Sequence, residues 1–100
     1  MAYQYDIPFH VDLSDRVALV TGGNGGIGGM FCRALAACGA TVIILARNLE
    51  RCQQLAAEIN AGGGRADAMS GDVTDEAAML RVKGEIEKKY GKLNILINAA

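Results

Sequence analysis

The feature that most constrains the fold is a cluster of glycines between an apolar run and a helix-like pattern. Residues 17–20 are apolar without alternation, as in a strand that is buried on both faces of a parallel sheet. Beyond the glycines, apolar residues recur at helical spacing, which predicts a helix whose apolar face consists of Ile27, Phe31, Leu35 and Cys38. The glycines therefore lie at a strand-to-helix junction.

Glycines at such a junction allow a phosphate group to approach the main chain. Unpaired N–H groups and the dipole at a helix N-terminus attract an anion, whereas side chains would block its approach. Two registers of a dinucleotide-binding pattern fit these residues, Gly23-x-Gly25-x-x-Gly28 and the longer Thr21-Gly22-x-x-x-Gly26-x-Gly28. A flexible hinge is disfavoured because a buried strand and a helix flank the loop. A P-loop is disfavoured because no Gly-Lys-Ser/Thr follows.

Composition argues against several classes of partner. A net charge of −1 over 100 residues gives no electrostatic reason to expect nucleic acid or an anionic membrane. No secretory signal or membrane-spanning run is present, so we expect a cytoplasmic protein with neither partner. The cysteines Cys32, Cys38 and Cys52 are expected to be buried reduced thiols rather than disulfides or metal ligands. The single histidine, His10, is expected on the surface rather than in catalysis.

The rest of the chain alternates predicted strands with predicted helices. Residues 1–15 are predicted to form an N-terminal arm, whose alternating apolar residues indicate an edge strand or a segment packed on a partner. Strands are predicted at about 16–20, 41–46, 65–70 and 93–98. The predicted helices begin near Gly26, after Asn48, and after Thr74 or Asp75, and they end before Gly39, Gly62 and Gly91.

This alternation, with short connections, indicates a parallel sheet covered on both faces. Right-handed crossovers and a glycine loop after the first strand predict the first half of a Rossmann-type, doubly wound α/β sheet with strand order 3-2-1-4. The apolar fourth strand would then lie at an open sheet edge, which favours aggregation unless it is covered. We therefore expect residues 16–100 to be the N-terminal part of a dinucleotide-binding Rossmann domain that continues beyond residue 100.

The residue after the second predicted strand indicates which dinucleotide binds. In these folds an acidic side chain about 20 residues beyond the glycines holds the ribose hydroxyls of NAD, whereas an arginine accommodates the 2′-phosphate of NADP. Arg47 occupies this position, between Ala46 and Asn48, and no carboxylate is adjacent. The sequence therefore favours NADP over NAD, with a solvated arginine as the alternative interpretation.

Two polar residues end the later strands. Asp72, after the third strand, is a candidate to accept a hydrogen bond from the adenine amino group, or else a turn residue. Asn98 ends the fourth strand, beside the first strand in the predicted order. It is expected either to face the cofactor cleft or to tie neighbouring strand ends together.

Three motifs, in the same order, resemble those of the short-chain dehydrogenase/reductase family. They are Thr21-Gly22-Gly23-Asn24-Gly25-Gly26-Ile27-Gly28, Asp72-Val73 and Leu96-Ile97-Asn98-Ala99-Ala100, where the family has Thr-Gly-x-x-x-Gly-x-Gly, Asp-Val and Asn-Asn-Ala-Gly. The resemblance implies the longer loop register, adenine contacts from Asp72 and Val73, and Asn98 beside the adenosine ribose. With the residues that follow the second strand, the expected cofactor-binding set is Gly22, Asn24, Gly26, Ile27, Gly28, Arg47, Asn48, Asp72, Val73 and Asn98.

The resemblance also implies an activity, with two departures. It implies that a homo-oligomer interconverts a secondary alcohol and a carbonyl on a small-molecule substrate, by hydride transfer to or from NADP or alternatively NAD. The catalytic serine, tyrosine and lysine are expected beyond residue 100. The residues of the motifs are most similar to those of sugar-acid or polyol members of the family, such as mannonate oxidoreductases. Asn24-Gly25 supplies no basic residue to the loop, so the NADP preference depends on Arg47, and Ala99 replaces an asparagine.

Two other functions are compatible with parts of this pattern. A dinucleotide-binding module without catalysis is not excluded by these residues. A methyltransferase that uses S-adenosylmethionine is a more distant alternative, because Val20-Thr21 and Ala46-Arg47 lack the acidic residues that such folds usually carry. A serine followed by Tyr-x-x-x-Lys in the sequence after residue 100 would indicate the reductase.

Overall fold

The computed structural model describes residues 11–99, which form one parallel sheet flanked by helices. In chain order the elements are β1 (Val17–Thr21), α1 (Gly26–Ala37), β2 (Thr41–Ala46), α2 (Leu49–Ala61), β3 (Arg65–Ser70), α3 (Glu76–Tyr90) and β4 (Ile95–Asn98). The strand order is β3-β2-β1-β4, which confirms the predicted Rossmann-type topology. Most of the predicted N-terminal arm, His10 and Ala100 lie outside the described residues.

The register of the sheet brings the ends of the strands together at one edge. Thr21 at the end of β1 pairs with Asn98 at the end of β4, and Ala46 at the end of β2 pairs with Ser70 at the end of β3. Because all of the pairings are parallel, the loops that leave these ends lie side by side. In open α/β sheets this edge is where ligands bind.

The core has two layers, one on each face of the sheet. Along β2, Val42 and Ile44 point to one face, and Ile43 and Leu45 point to the other. The first face packs against α1 and α2 through the buried residues Cys32, Ala36, Cys52, Leu55, Ala56 and Ile59. The second face packs against α3 through Val82 and Ile86. A strand buried on both faces explains why the apolar runs in the sequence do not alternate.

The buried face of α1 differs from the prediction. Ile27 and Phe31 are 70% and 41% exposed, whereas the buried residues of α1 are Gly28, Gly29, Cys32 and Ala36. Small residues face inward here because α1 begins directly against the glycine loop. The prediction was wrong for Ile27 and Phe31, because helical periodicity records which residues are apolar but not how closely the helix approaches the sheet. Leu35, in contrast, packs against the core as predicted.

The fourth strand borders an apolar groove. β4 pairs only with β1 among the described strands, and the Leu96 side chain is 63% exposed. The groove between β4 and α3 has a volume of about 610 Å³ and is lined mainly by aliphatic side chains, among them Leu19, Val82 and Ile86. No helix within residues 11–99 has the length and hydropathy needed to cross a bilayer.

Candidate functional site

The N-terminus of α1 lacks the side-chain cap that the other two helices possess. Asn48 caps α2 and Asp75 caps α3 through side-chain oxygens that accept main-chain N–H hydrogen bonds. Of the two residues predicted to cap α3, Thr74 and Asp75, the cap is therefore Asp75. Gly25 is the N-cap residue of α1 and has no side chain to do this. The first turn of α1 also contains no acidic residue, whereas α2 and α3 carry Glu50 and Glu76 there. The N–H groups and the positive dipole end of α1 are therefore left for an external anion.

The loop before α1 is folded tightly against the helix. Gly22 has a φ of 69°, a conformation that favours glycine, and its N–H donates to the Leu45 carbonyl oxygen at 2.8 Å. A Cβ atom at Gly28 would overlap the Gly22 carbonyl oxygen and lie 2.9 Å from the Gly23 Cα. A Cβ atom at Gly26, in contrast, would meet no atom within 4 Å. The loop is thus crowded on its inner side and open in front of the helix.

A cleft of about 520 Å³ lies beside this loop, at the carboxyl edge of the sheet. It brings together six of the residues that were predicted from the sequence: Gly22, Asn24, Arg47, Asn48, Asp72 and Val73. Leu45, Ala46, Gly71 and Thr74 also line the cleft and were not predicted as site residues. Thr74 lies two residues after Asp72, a spacing that is typical of an Asx turn. This spacing in the sequence could have indicated that Thr74 lies beside Asp72 in the site.

Asp72 presents a negative carboxylate to the cleft. Its Oδ1 accepts hydrogen bonds from the Thr74 N–H at 2.9 Å and from the Thr74 hydroxyl at 2.7 Å. These two bonds, with a smaller contribution from the positive charge of Arg47, hold the pKa of Asp72 below its ordinary value. The carboxylate is therefore ionised at neutral pH and acts only as an acceptor. Both interpretations of Asp72, ligand acceptor and turn residue, are compatible with this geometry.

Four of the residues predicted for the site do not line this cleft: Gly26, Ile27, Gly28 and Asn98. The Thr21 hydroxyl donates to Asn98 Oδ1 at 2.8 Å, so Asn98 links the ends of β1 and β4, which is one of the two roles expected for it. Asn98 lines the groove beside β4 rather than the cleft, and Val73 lines both. The predicted site residues Gly26, Ile27 and Gly28 form the first turn of α1 and do not line the cleft.

Two of the three cysteines lie in the core. Cys32 and Cys52 are buried and Cys38 is partly buried, so the prediction of burial holds for two of the three. Burial raises the pKa of Cys32 to about 12, so its thiol remains protonated and can donate to the Gly23 carbonyl oxygen 3.6 Å away. No group of three or more candidate metal ligands is clustered within residues 11–99.

Comparison with known proteins identifies the family. The model of the short chain dehydrogenase family matches residues 16–100, and the chain therefore belongs to the short-chain dehydrogenase/reductase family. An uncharacterized oxidoreductase of Bacillus subtilis, UxuB, is 39% identical over 94 residues, which cover 94% of this chain and 34% of the relative. The chain spans 30%, 34% and 14% of the lengths of three curated relatives that it matches.

Three solved structures with a similar fold contain nicotinamide cofactors. A metagenomic short-chain oxidoreductase in complex with NADP has a TM-score of 0.80 and 33% identity, and the match covers 84% of this chain and 38% of that one. A protein from Haemophilus influenza assigned as a D-mannonate oxidoreductase, with bound NAD, has a TM-score of 0.82 and 29% identity over 86% of this chain and 31% of its own. L-Sorbose reductase from Gluconobacter frateurii, in complex with NADPH and L-sorbose, has a TM-score of 0.85 and 27% identity. The match covers 92% of this chain and 35% of that one.

Proposed function

We propose that this chain is the cofactor-binding part of an NADP-dependent oxidoreductase, with NAD as the alternative cofactor. The observation that carries the proposal is the uncapped N-terminus of α1, which is the one helix start in residues 11–99 without a side-chain cap or an acidic first turn. The clearance at Gly26 and the cleft beside the loop fit a dinucleotide whose pyrophosphate rests on α1. Gly26, Ile27 and Gly28 would present the main-chain N–H groups.

The remaining residues of the cleft would hold the adenosine half of the cofactor. Asp72 provides an ionised acceptor for the adenine amino group, and Val73 and Asn24 provide the adjoining walls. Arg47 is exposed, and no carboxylate oxygen within residues 11–99 lies within 4.0 Å of its guanidinium, so its charge is available to a 2′-phosphate. The NADP and NADPH complexes of two structural neighbours support this choice, and the NAD complex of a third supports the alternative.

The chain supplies binding and orientation rather than proton transfer. When bound, the nicotinamide ring of the cofactor supplies the carbon that exchanges hydride with the substrate. Within this chain, α1 fixes the pyrophosphate, while Arg47 and Asp72 fix the adenosine, and Asn98 beside Thr21 borders the route from the adenosine toward β4. The proton-transferring serine, tyrosine and lysine expected of the family are proposed to lie beyond residue 100.

We further propose that residues 16–100 are the N-terminal part of a domain that continues past β4. The exposed Leu96 and the apolar groove beside it form a surface that a further segment of the domain would bury. The limited share of each relative that this chain spans agrees with that proposal. Cofactor binding should therefore be measured on the complete polypeptide.

The proposed reaction is the interconversion of a secondary alcohol and a carbonyl on a small molecule, with a sugar acid or a polyol as the substrate class. The support for that class is the resemblance in the glycine loop together with the sugar-related names of two structural neighbours. We also propose a cytoplasmic homo-oligomer, in keeping with the family resemblance. A dinucleotide-binding module without catalysis would show the same cofactor binding and no turnover.

Binding of both cofactors to the complete polypeptide tests the proposal. We expect NADPH to bind at least about tenfold more tightly than NADH, a difference of about 1.4 kcal/mol, because the 2′-phosphate gains a charge-assisted contact. Quenching of protein fluorescence or calorimetric titration would measure both dissociation constants. Equal affinities would remove NADP from the proposal, and the absence of binding to either cofactor would remove the oxidoreductase assignment.

A further inference from the structure

A buried main-chain carbonyl lies on the inner side of the glycine loop. Gly23, between β1 and α1, is buried, and its carbonyl oxygen faces α1. A buried carbonyl needs a hydrogen-bond donor, because folding has removed it from water. No main-chain N–H within residues 11–99 donates to this oxygen. The donor is the Cys32 thiol of α1, whose Sγ atom lies 3.6 Å from the oxygen.

Cys32 also packs closely against the same glycine. A Cβ atom at Gly23 would lie 3.1 Å from the Cys32 Sγ atom and 2.9 Å from the Ile44 Cγ2 atom, so the space beside this glycine is already filled. Cys32 is fully buried on the inner face of α1. Burial raises the pKa of its thiol, which therefore stays protonated and can act as a donor. The thiol thus links α1 to the loop that precedes it.

The bond between Cys32 and Gly23 sets the direction of the next peptide group. The peptide bonds within residues 11–99 are trans, and in a trans peptide the C=O and N–H groups point in opposite directions. Because the Gly23 carbonyl points into the core, the Asn24 N–H points away from it. Asn24 lines the cofactor cleft, and its N–H donates to no main-chain oxygen within residues 11–99. This N–H is therefore available to a ligand.

We propose that Cys32 is a positioning residue for the cofactor, because its thiol holds the Gly23–Asn24 peptide group with the Asn24 N–H turned toward the cofactor cleft. The inference rests on the proposed cofactor-binding function. The Gly23 N–H donates to the Leu45 carbonyl oxygen at 3.4 Å, so β2 holds one side of this glycine and the Cys32 thiol holds the other. Without the thiol, the Gly23 carbonyl is free to rotate, and the Asn24 N–H turns with it.

Cys32→Ala and Cys32→Ser in the complete polypeptide test this assignment, first without cofactor. Alanine removes the donor, whereas serine keeps a hydroxyl donor. Amide hydrogen exchange reports local opening, and the N–H groups of Gly22 and Gly25 are both hydrogen-bonded in the loop. We expect their exchange to quicken about fivefold in Cys32→Ala, the factor that corresponds to one lost hydrogen bond, and by less than about twofold in Cys32→Ser. Ile59→Val is the matched control, because it also removes one heavy atom from the same buried cluster, but in the last turn of α2.

Titration of the same variants with NADPH separates this inference from the proposed function. We expect the dissociation constant of NADPH to rise about fivefold in Cys32→Ala and by less than about twofold in Cys32→Ser and Ile59→Val. Failure of the unaltered protein to bind NADPH would overturn the proposed function. If the unaltered protein binds NADPH and Cys32→Ala binds it equally well, only the role of Cys32 is overturned. An equal effect of Cys32→Ser or of Ile59→Val would also contradict that role, since the cause would then be lost packing rather than a lost donor.

Discussion

Replacing Gly28 by alanine is expected to abolish most of the nucleotide binding. The new Cβ atom would overlap the Gly22 carbonyl oxygen and lie 2.8 Å from the Gly22 carbonyl carbon, and both are main-chain atoms that cannot rotate away. The loop must therefore move off the N-terminus of α1, and the dissociation constant of NADPH should rise by about a hundredfold, or about 2.8 kcal/mol. Forced overpacking should also lower the free energy of unfolding by about 1–3 kcal/mol.

Gly26→Ala is the matched control for the loss of stability. A Cβ atom at Gly26 meets no atom of the protein within 4 Å, and alanine is a better helix former than glycine, so the fold should be retained. The methyl group would instead occupy space in front of α1, and we expect weaker NADPH binding without loss of stability. Titration with NADPH and thermal unfolding measure the two quantities. If Gly28→Ala binds NADPH as the unaltered protein does, the crowding at this turn is irrelevant to the site.

Arg47→Asp is expected to remove the preference for NADPH over NADH. The substitution replaces a cation by an anion beside the 2′-phosphate, so the dissociation constant of NADPH should rise about ten- to a hundredfold, or about 1.4–2.8 kcal/mol. NADH should bind as well as before, since a carboxylate at this position can accept hydrogen bonds from the ribose hydroxyls. The effect should be largest at low ionic strength, because Arg47 is exposed and salt screens its charge.

The same charge change at Arg65 provides the control for Arg47→Asp. Arg65 is an exposed arginine at the start of β3, at the opposite end of the sheet from the site. Arg65→Asp should leave the ratio of NADPH to NADH affinity unchanged. If Arg47→Asp also leaves this ratio unchanged, Arg47 does not recognise the 2′-phosphate.

The topology could be read from the sequence because its causes are local. The strand β2, which is buried on both faces, appears in the sequence as an apolar run, and its predicted bounds agree with the structure. The predicted bounds of the less buried β3 also agree. Gly39 and Gly91 follow helix ends with positive φ, as the sequence predicted from the preference of such positions for glycine. The right-handed crossover then leaves few possible strand orders.

The site could be predicted only in part, because some of its features depend on how elements pack. Arg47 and Asp72 follow strands that end at one edge, so the topology alone brings them together. The partnership of Asn98 with Thr21 depends on the register between β1 and β4, which the sequence did not determine. The contact of the Cys32 thiol with the glycine loop depends on how closely α1 packs against that loop, and no local pattern signals it.

The most direct test of the central claim is a crystal structure of the complete polypeptide with NADPH. We expect the pyrophosphate oxygens to lie within hydrogen-bond distance of the main-chain N–H groups in the first turn of α1, and the 2′-phosphate to lie beside Arg47. A pyrophosphate bound elsewhere, with solvent alone at the start of α1, would contradict the proposed binding site.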